Sequence, residues 1–120
     1  MKIVVSSIGG SLDSQVDPRF GRAPMFLFVD TDTGETESVD NSAGANAPQG
    51  AGIQAAEIVS RLGAECLLTG HCGPKAFRTL EAAGIKVYTG AYGTIAEAIE
   101  QLTSGELHLS SGPDVGGHWG

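Results

Sequence analysis

Residues 66–88, CLLTGHCGPKAFRTLEAAGIKVY, decide the fold. The apolar run Cys66-Leu67-Leu68 reads as a short buried strand. Thr69-Gly70-His71-Cys72-Gly73 interrupts it, and Pro74 stands where a helix accepts proline, at its first position. Phe77, Leu80 and Ala83, with Ala76 beside Leu80, form one apolar stripe at helical spacing, and Gly84 ends it. Ile85 to Tyr88 is again an apolar strand. Two strands joined by a helix run parallel, through a crossover that is right-handed almost without exception. The chain is therefore of the α/β class.

Outward from this unit the pattern repeats and then changes. On the C-terminal side, Thr94-Ile95-Ala96-Glu97 is a capping box, Ile95, Ala98, Ile99 and Leu102 share one face, and Gly105 stops the helix. On the N-terminal side, Ala51, Ala55, Ile58 and Leu62 mark another helix, ended by Gly63. Before residue 50 the chain is strand and loop. Lys2 to Ser7 holds the buried run Ile3-Val4-Val5; Met25 to Val29 and Thr36 to Val39 flank the turn Asp32-Thr33-Gly34 as a hairpin. The order β-β-β-α-β-α-β-α predicts a mixed five-stranded sheet, 3-2-1-4-5, with helices on its faces. That is a ribonuclease-H-like architecture. One domain, 1–105, is expected, with a Gly/Ser-rich tail over 106–120.

Composition narrows the function. Seven Lys and Arg against 14 Asp and Glu leave a net charge of −7, which argues against a broad grip on nucleic acid or an anionic membrane. No apolar run approaches the roughly 20 residues of a membrane span. The N-terminus reads as a strand rather than a signal peptide, so the cytoplasm is the expected compartment. Two cysteines make no disulfide framework and contain no CxxC spacing. Glycine, 18 of 120, is about twice its usual ~7% and suggests loops whose backbone approaches something closely.

In the predicted topology strands 1, 3, 4 and 5 point the same way, so loops 8–24, 40–50, 69–74 and 89–94 leave one edge of the sheet. Ligands of open α/β sheets bind outside the carboxyl ends of the strands. Three of these loops run into helix N-termini, whose unpaired N–H groups favour anions. The candidate lining is Arg19, Phe20, Gly21, Arg22, Gly50, Gly52, Gly70, His71, Cys72, Gly73, Lys75, Gly90 and Gly93. Arg19 and Arg22 can meet a polyanion together, or serve the loop through Asp17–Arg19 or Asp13–Arg22 ion pairs. His71 and Cys72 precede a helix, where a thiolate is favoured, and are the candidate soft-metal ligands; alternatively Cys72 is packed and His71 faces solvent. Cys66 belongs to the core by its strand context. His118-Trp119 are read as frayed rather than folded over the site, and His108 stands far from the loop edge in chain order.

Four stretches together resemble a known family. They are Asp17-Pro18-Arg19-Phe20-Gly21-Arg22-Ala23, Gly50-Ala51-Gly52-Ile53-Gln54-Ala55-Ala56, Gly70-His71-Cys72-Gly73-Pro74-Lys75-Ala76-Phe77 and Ala83-Gly84-Ile85-Lys86-Val87-Tyr88. In this order and spacing they look like the dinitrogenase iron–molybdenum cofactor biosynthesis family, of the NifX and NifB C-terminal type, over roughly residues 1–105. The resemblance implies a ribonuclease-H-like fold and a non-catalytic protein. It further implies a bound anionic metal–sulfur cluster, of Fe–Mo–S type or of the Mo–Cu–S type held by the orange protein of sulfate reducers. Cluster donor and acceptor proteins are the implied partners. A two-metal nuclease needs carboxylates on the central strands, and the first strand carries none. GxxxxGK[ST], GxSxG and GxGxxG after the first strand are absent. The rival readings are a small-anion or nucleotide-phosphate sensor at the same edge and a redox regulator based on Cys72.

Overall fold

A computed structural model describes residues 1–110. Strand β1 (Lys2–Ser7) lies inside the sheet, antiparallel to β2 (Met25–Asp30) and parallel to β4 (Cys66–Leu68). Strand β3 (Thr36–Asp40) pairs antiparallel with β2, and β5 (Lys86–Thr89) pairs parallel with β4. The ribonuclease-H-like arrangement expected from the sequence holds, with one correction. The sheet has six strands, not five, in the order β3-β2-β1-β4-β5-β6. The added strand, β6 (His108–Leu109), lies antiparallel on β5, within a segment that composition assigns to the tail. A two-residue strand has no periodicity to read, and only pairing to β5 reveals it.

The central strands alternate between two cores. Val4, Leu67 and Val87 face one cluster; Ile3, Val5, Cys66 and Leu68 face the other. Burial on both faces explains why these strands are continuous apolar runs rather than alternating ones. Helices α2 (Ala51–Arg61) and α3 (Pro74–Ala82) cover the first face through Ala55, Ala56, Val59, Ala76, Phe77 and Leu80. Helix α4 (Ile95–Thr103) covers the second through Ile95 and Ala98. A single turn, α1 (Ser42–Ala45), stands in the stretch read as loop from its small polar residues. Strands β1, β3, β4 and β5 do share one direction, so the loops after them meet at one edge.

That edge is held by the long loop after β1. Ser7 bridges Val16, Gln15 bridges Thr94 and Arg19 bridges His71. The His71 N–H donates to the Pro18 carbonyl over 2.9 Å, and a Cβ on Gly70 would stand 2.5 Å from that of Pro18. Only glycine lets the two loops lie so close.

Candidate functional site

On the face covered by α2 and α3, the edge opens into a cavity of about 470 Å³. Its walls are three chain segments. Arg19, Phe20, Gly21 and Arg22 come from the loop after β1, where Phe20–Arg22 form one 3-10 turn; Gly50 to Ile53 are the start of α2; His71 and Gly73 to Ala76 are the start of α3. The two helix starts and the loop touch because their residues are small. A Cβ on Gly21 would lie 2.9 Å from the Cα and N of Gly52, and one on Gly52 would lie 3.1 Å from the Ala76 Cβ. Here the glycines admit chain against chain.

Both helices open onto the cavity unprotected. α2 begins after Gly50, at φ +79°, and α3 after Gly73; neither cap offers a side chain, and neither first turn contains an acid. Their first N–H groups are left to whatever enters the cavity. α4, on the opposite face, is closed by its own residues. Thr94 accepts from the Glu97 N–H at 3.1 Å and donates its own N–H to Glu97 at 2.8 Å. The described cavity lining includes Arg19, Arg22, Lys75 and His71 and no Asp or Glu, in a chain of net charge −7. Phe20, Ala51, Ile53, Pro74 and Ala76 supply apolar wall between the charges.

The two arginines are held differently. Arg19 makes a bidentate pair with Asp17, Nε to Oδ1 at 3.1 Å and Nη2 to Oδ2 at 2.9 Å. The Asp17 side chain is 2% exposed and that of Arg19 60%. Burial pushes the Asp17 carboxyl up, but the hydrogen bonds and charge of Arg19 outweigh it and leave the carboxyl below its ordinary value. Arg22 turns instead to the α1 region, donating Nη1 to the carbonyls of Ala45 at 3.0 Å and Ala47 at 2.7 Å. Among the described residues Arg22 forms no ion pair with Asp13. Both guanidinium groups are thereby fixed at the wall.

Of the residues the sequence nominates, Arg19, Phe20, Gly21, Arg22, Gly50, Gly52, His71, Gly73 and Lys75 come together around the cavity. Gly70 lies behind the wall, against Pro18. Gly90 and Gly93 lead into α4 and so belong to the other face. Cys72 is 1% exposed and packs in the core cluster under α2 and α3, its Sγ 3.7 Å from the Gly73 carbonyl; His71 is exposed and lines the cavity. Among the described residues no group of three or more His, Cys, Asp and Glu could hold a metal ion. His108 stands opposite Thr89, at the carboxyl end of β5, so chain distance misleads about its place on the edge. His118 and Trp119 lie outside the described residues. The sequence reading did not nominate Ala51, Ile53, Pro74 and Ala76, although the helix starts at Gly50 and Gly73 point to them.

The chain is similar to known proteins over nearly its whole length. The family model described as dinitrogenase iron-molybdenum cofactor matches residues 1–105. The apo form of the orange protein from Desulfovibrio gigas superposes with a TM-score of 0.91 at 45% identity, covering 95% of this chain and 96% of that one. A NifB candidate from Thermotoga superposes with a TM-score of 0.79 at 36% identity, over 90% and 91% of the two chains. An uncharacterized protein of Methanocaldococcus jannaschii is 29% identical over 111 residues, 89% of this chain and 93% of its own length.

Proposed function

The chain belongs to the dinitrogenase iron–molybdenum cofactor family, and from this premise we propose that its cavity holds a preassembled, anionic metal–sulfide cluster of the Fe–Mo–S or Mo–Cu–S type. The protein carries the cluster or helps to assemble it and catalyses no reaction of its own. One observation carries the reading: three cations and two uncapped helix N-termini converge on one cavity whose described lining contains no carboxylate. A cluster that brings its own sulfide needs compensating charge and N–H donors more than protein thiolates. Any metal contact is assigned to His71, which lines the cavity, rather than to Cys72, which is packed in the core. The apolar walls favour a soft sulfide surface over phosphate. Phosphate oxygens are strongly hydrated and leave Phe20, Ile53 and Pro74 unmatched.

The same reading makes the protein a cytoplasmic one, with a cluster donor and an acceptor as partners. Among the described residues no helix is long and apolar enough to cross a membrane.

Anaerobic titration with tetrathiomolybdate, with and without copper(I), tests the reading through the visible bands of the thiometalate. The parent is expected to bind and shift the bands. Lys75→Ala and Arg22→Ala each weaken binding roughly five- to tenfold, the size of one charge contact near a protein surface. Cys72→Ala keeps binding within about twofold. Inorganic phosphate and pyrophosphate compete poorly. Equal affinities in parent and charge variants, or tight phosphate binding, overturn the cluster reading.

A further inference from the structure

The cavity holds three cations, but one of them has a partner built beneath it. Asp17 is anchored at the carboxyl ends of β1 and β4. Its N–H donates to the Ser6 carbonyl at 2.9 Å, and its own carbonyl accepts the Ser6 hydroxyl at 2.7 Å. The Ser6 hydroxyl also lies 2.8 Å from that of Thr69, and both residues are fully buried. From this fixed point Oδ1 accepts the Arg19 backbone N–H at 2.9 Å, closing a local turn, while both oxygens take the guanidinium. The turn alone needs one acceptor oxygen, which a neutral Asn supplies. A carboxylate at this depth adds a desolvation cost, and what it adds in return is a negative charge directly behind the cavity wall.

We propose that Asp17 sets the charge of the cavity: it positions the Arg19 guanidinium at the wall and cancels one of the three side-chain cations, which lowers how steeply affinity rises with the charge of the bound anion. Arg22 and Lys75 are then the two uncompensated charges among the described lining residues. Arg19 acts as a fixed donor fork rather than a source of field. The proposal rests on the cavity taking an anion, and it deepens that reading by naming the group that sets how affinity depends on anion charge.

The test pairs two probes of one shape and different charge with a smaller, tetrahedral sulfide probe. Hexacyanoferrate(III) and hexacyanoferrate(II) carry three and four negative charges on nearly the same octahedron, and tetrathiomolybdate carries two. Affinities of all three are measured by calorimetry for the parent, Asp17→Asn, and the double variant Asp17→Asn/Arg19→Gln. Asn keeps the turn acceptor and removes the charge. In Asp17→Asn the affinity for hexacyanoferrate(II) relative to hexacyanoferrate(III) rises roughly fivefold, since each extra ligand charge now meets one more uncompensated cation. The double variant removes both charges and returns the ratio to that of the parent, which a purely structural role for Asp17 would not do. An unchanged ratio in Asp17→Asn, or a double variant that keeps the raised ratio, overturns the proposal. Failure of tetrathiomolybdate alone to bind the parent overturns the cluster reading, while the hexacyanoferrate ratio still decides the role of Asp17. Failure of all three anions to bind any of the proteins overturns both.

Discussion

At Asp17 burial and charge oppose each other, and the outcome can be read in acid. Burial raises the carboxyl, the Arg19 contacts lower it further than burial raises it, and the folded value falls below the unfolded one, about 3.9. A carboxyl depressed in the folded state contributes stability that is complete above the unfolded value and lost as pH falls through the folded one. Asp17→Asn is therefore expected to be less stable than the parent at pH 6 and to lose less on going from pH 6 to pH 2.5. Urea denaturation at the two pH values measures both, and parallel losses would contradict the assignment. Cys66 shows the opposite case. Burial, and then the nearby Glu65, push its thiol up to about 11, so it remains a protonated core residue at neutral pH, with its Sγ 3.8 Å from the Met1 sulfur.

Among the elements, the helix starts divide the labour. α4 is closed by Thr94 and Glu97, and α2 and α3 are left open toward the cavity. Gly73 has φ −74° and ψ 169°, a conformation open to any residue. Gly73→Asp is thus expected to cap α3 and stabilise the fold by about 0.5 kcal/mol, while weakening anion binding at least tenfold. Thr94→Ala is expected to cost about 1 kcal/mol and leave anion affinity unchanged, because α4 covers the other face. Thermal melts and thiomolybdate titrations of both variants separate the two effects; loss of anion affinity in Thr94→Ala would place the site elsewhere. The same contrast shows what the sequence discloses. The buried runs at Ile3-Val4-Val5 and Cys66-Leu67-Leu68, and the helical stripes, carry their own periodicity, so topology and loop edge follow from it. Which loops share a face does not, because that depends on the side of the sheet each crossover takes. Gly90 and Gly93 therefore enter the sequence-derived set with residues from the other face. Cys72 enters it because a loop position conceals that its side chain turns into the core. β6 escapes notice because two residues have no period.

For the molecule as a whole, an acidic surface surrounds a cationic cavity, and the sheet gives that cavity one edge of its own. Met1 lies at the other edge, its amino group held by Asp32 at 2.9 Å. β6 descends along β5, His108 opposite Thr89, Leu109 opposite Tyr88, and the Ser110 N–H donating to Val87. The described chain thus starts at the edge away from the cavity, and by Ser110 it is running away from the cavity again, toward that same far edge. A folded partner protein joined by a flexible linker ahead of Met1 should leave thiomolybdate affinity within about twofold of the parent, whereas the same partner inserted after Asn46, beside the carbonyls that hold Arg22, should weaken it severely. Equal effects from the two fusions, read by titration, would contradict this layout. Its consequence is modularity: the domain can be plugged into a longer polypeptide from one side and still present its mouth to the other, so that binding at the cavity and attachment to a neighbouring domain need not compete for the same surface.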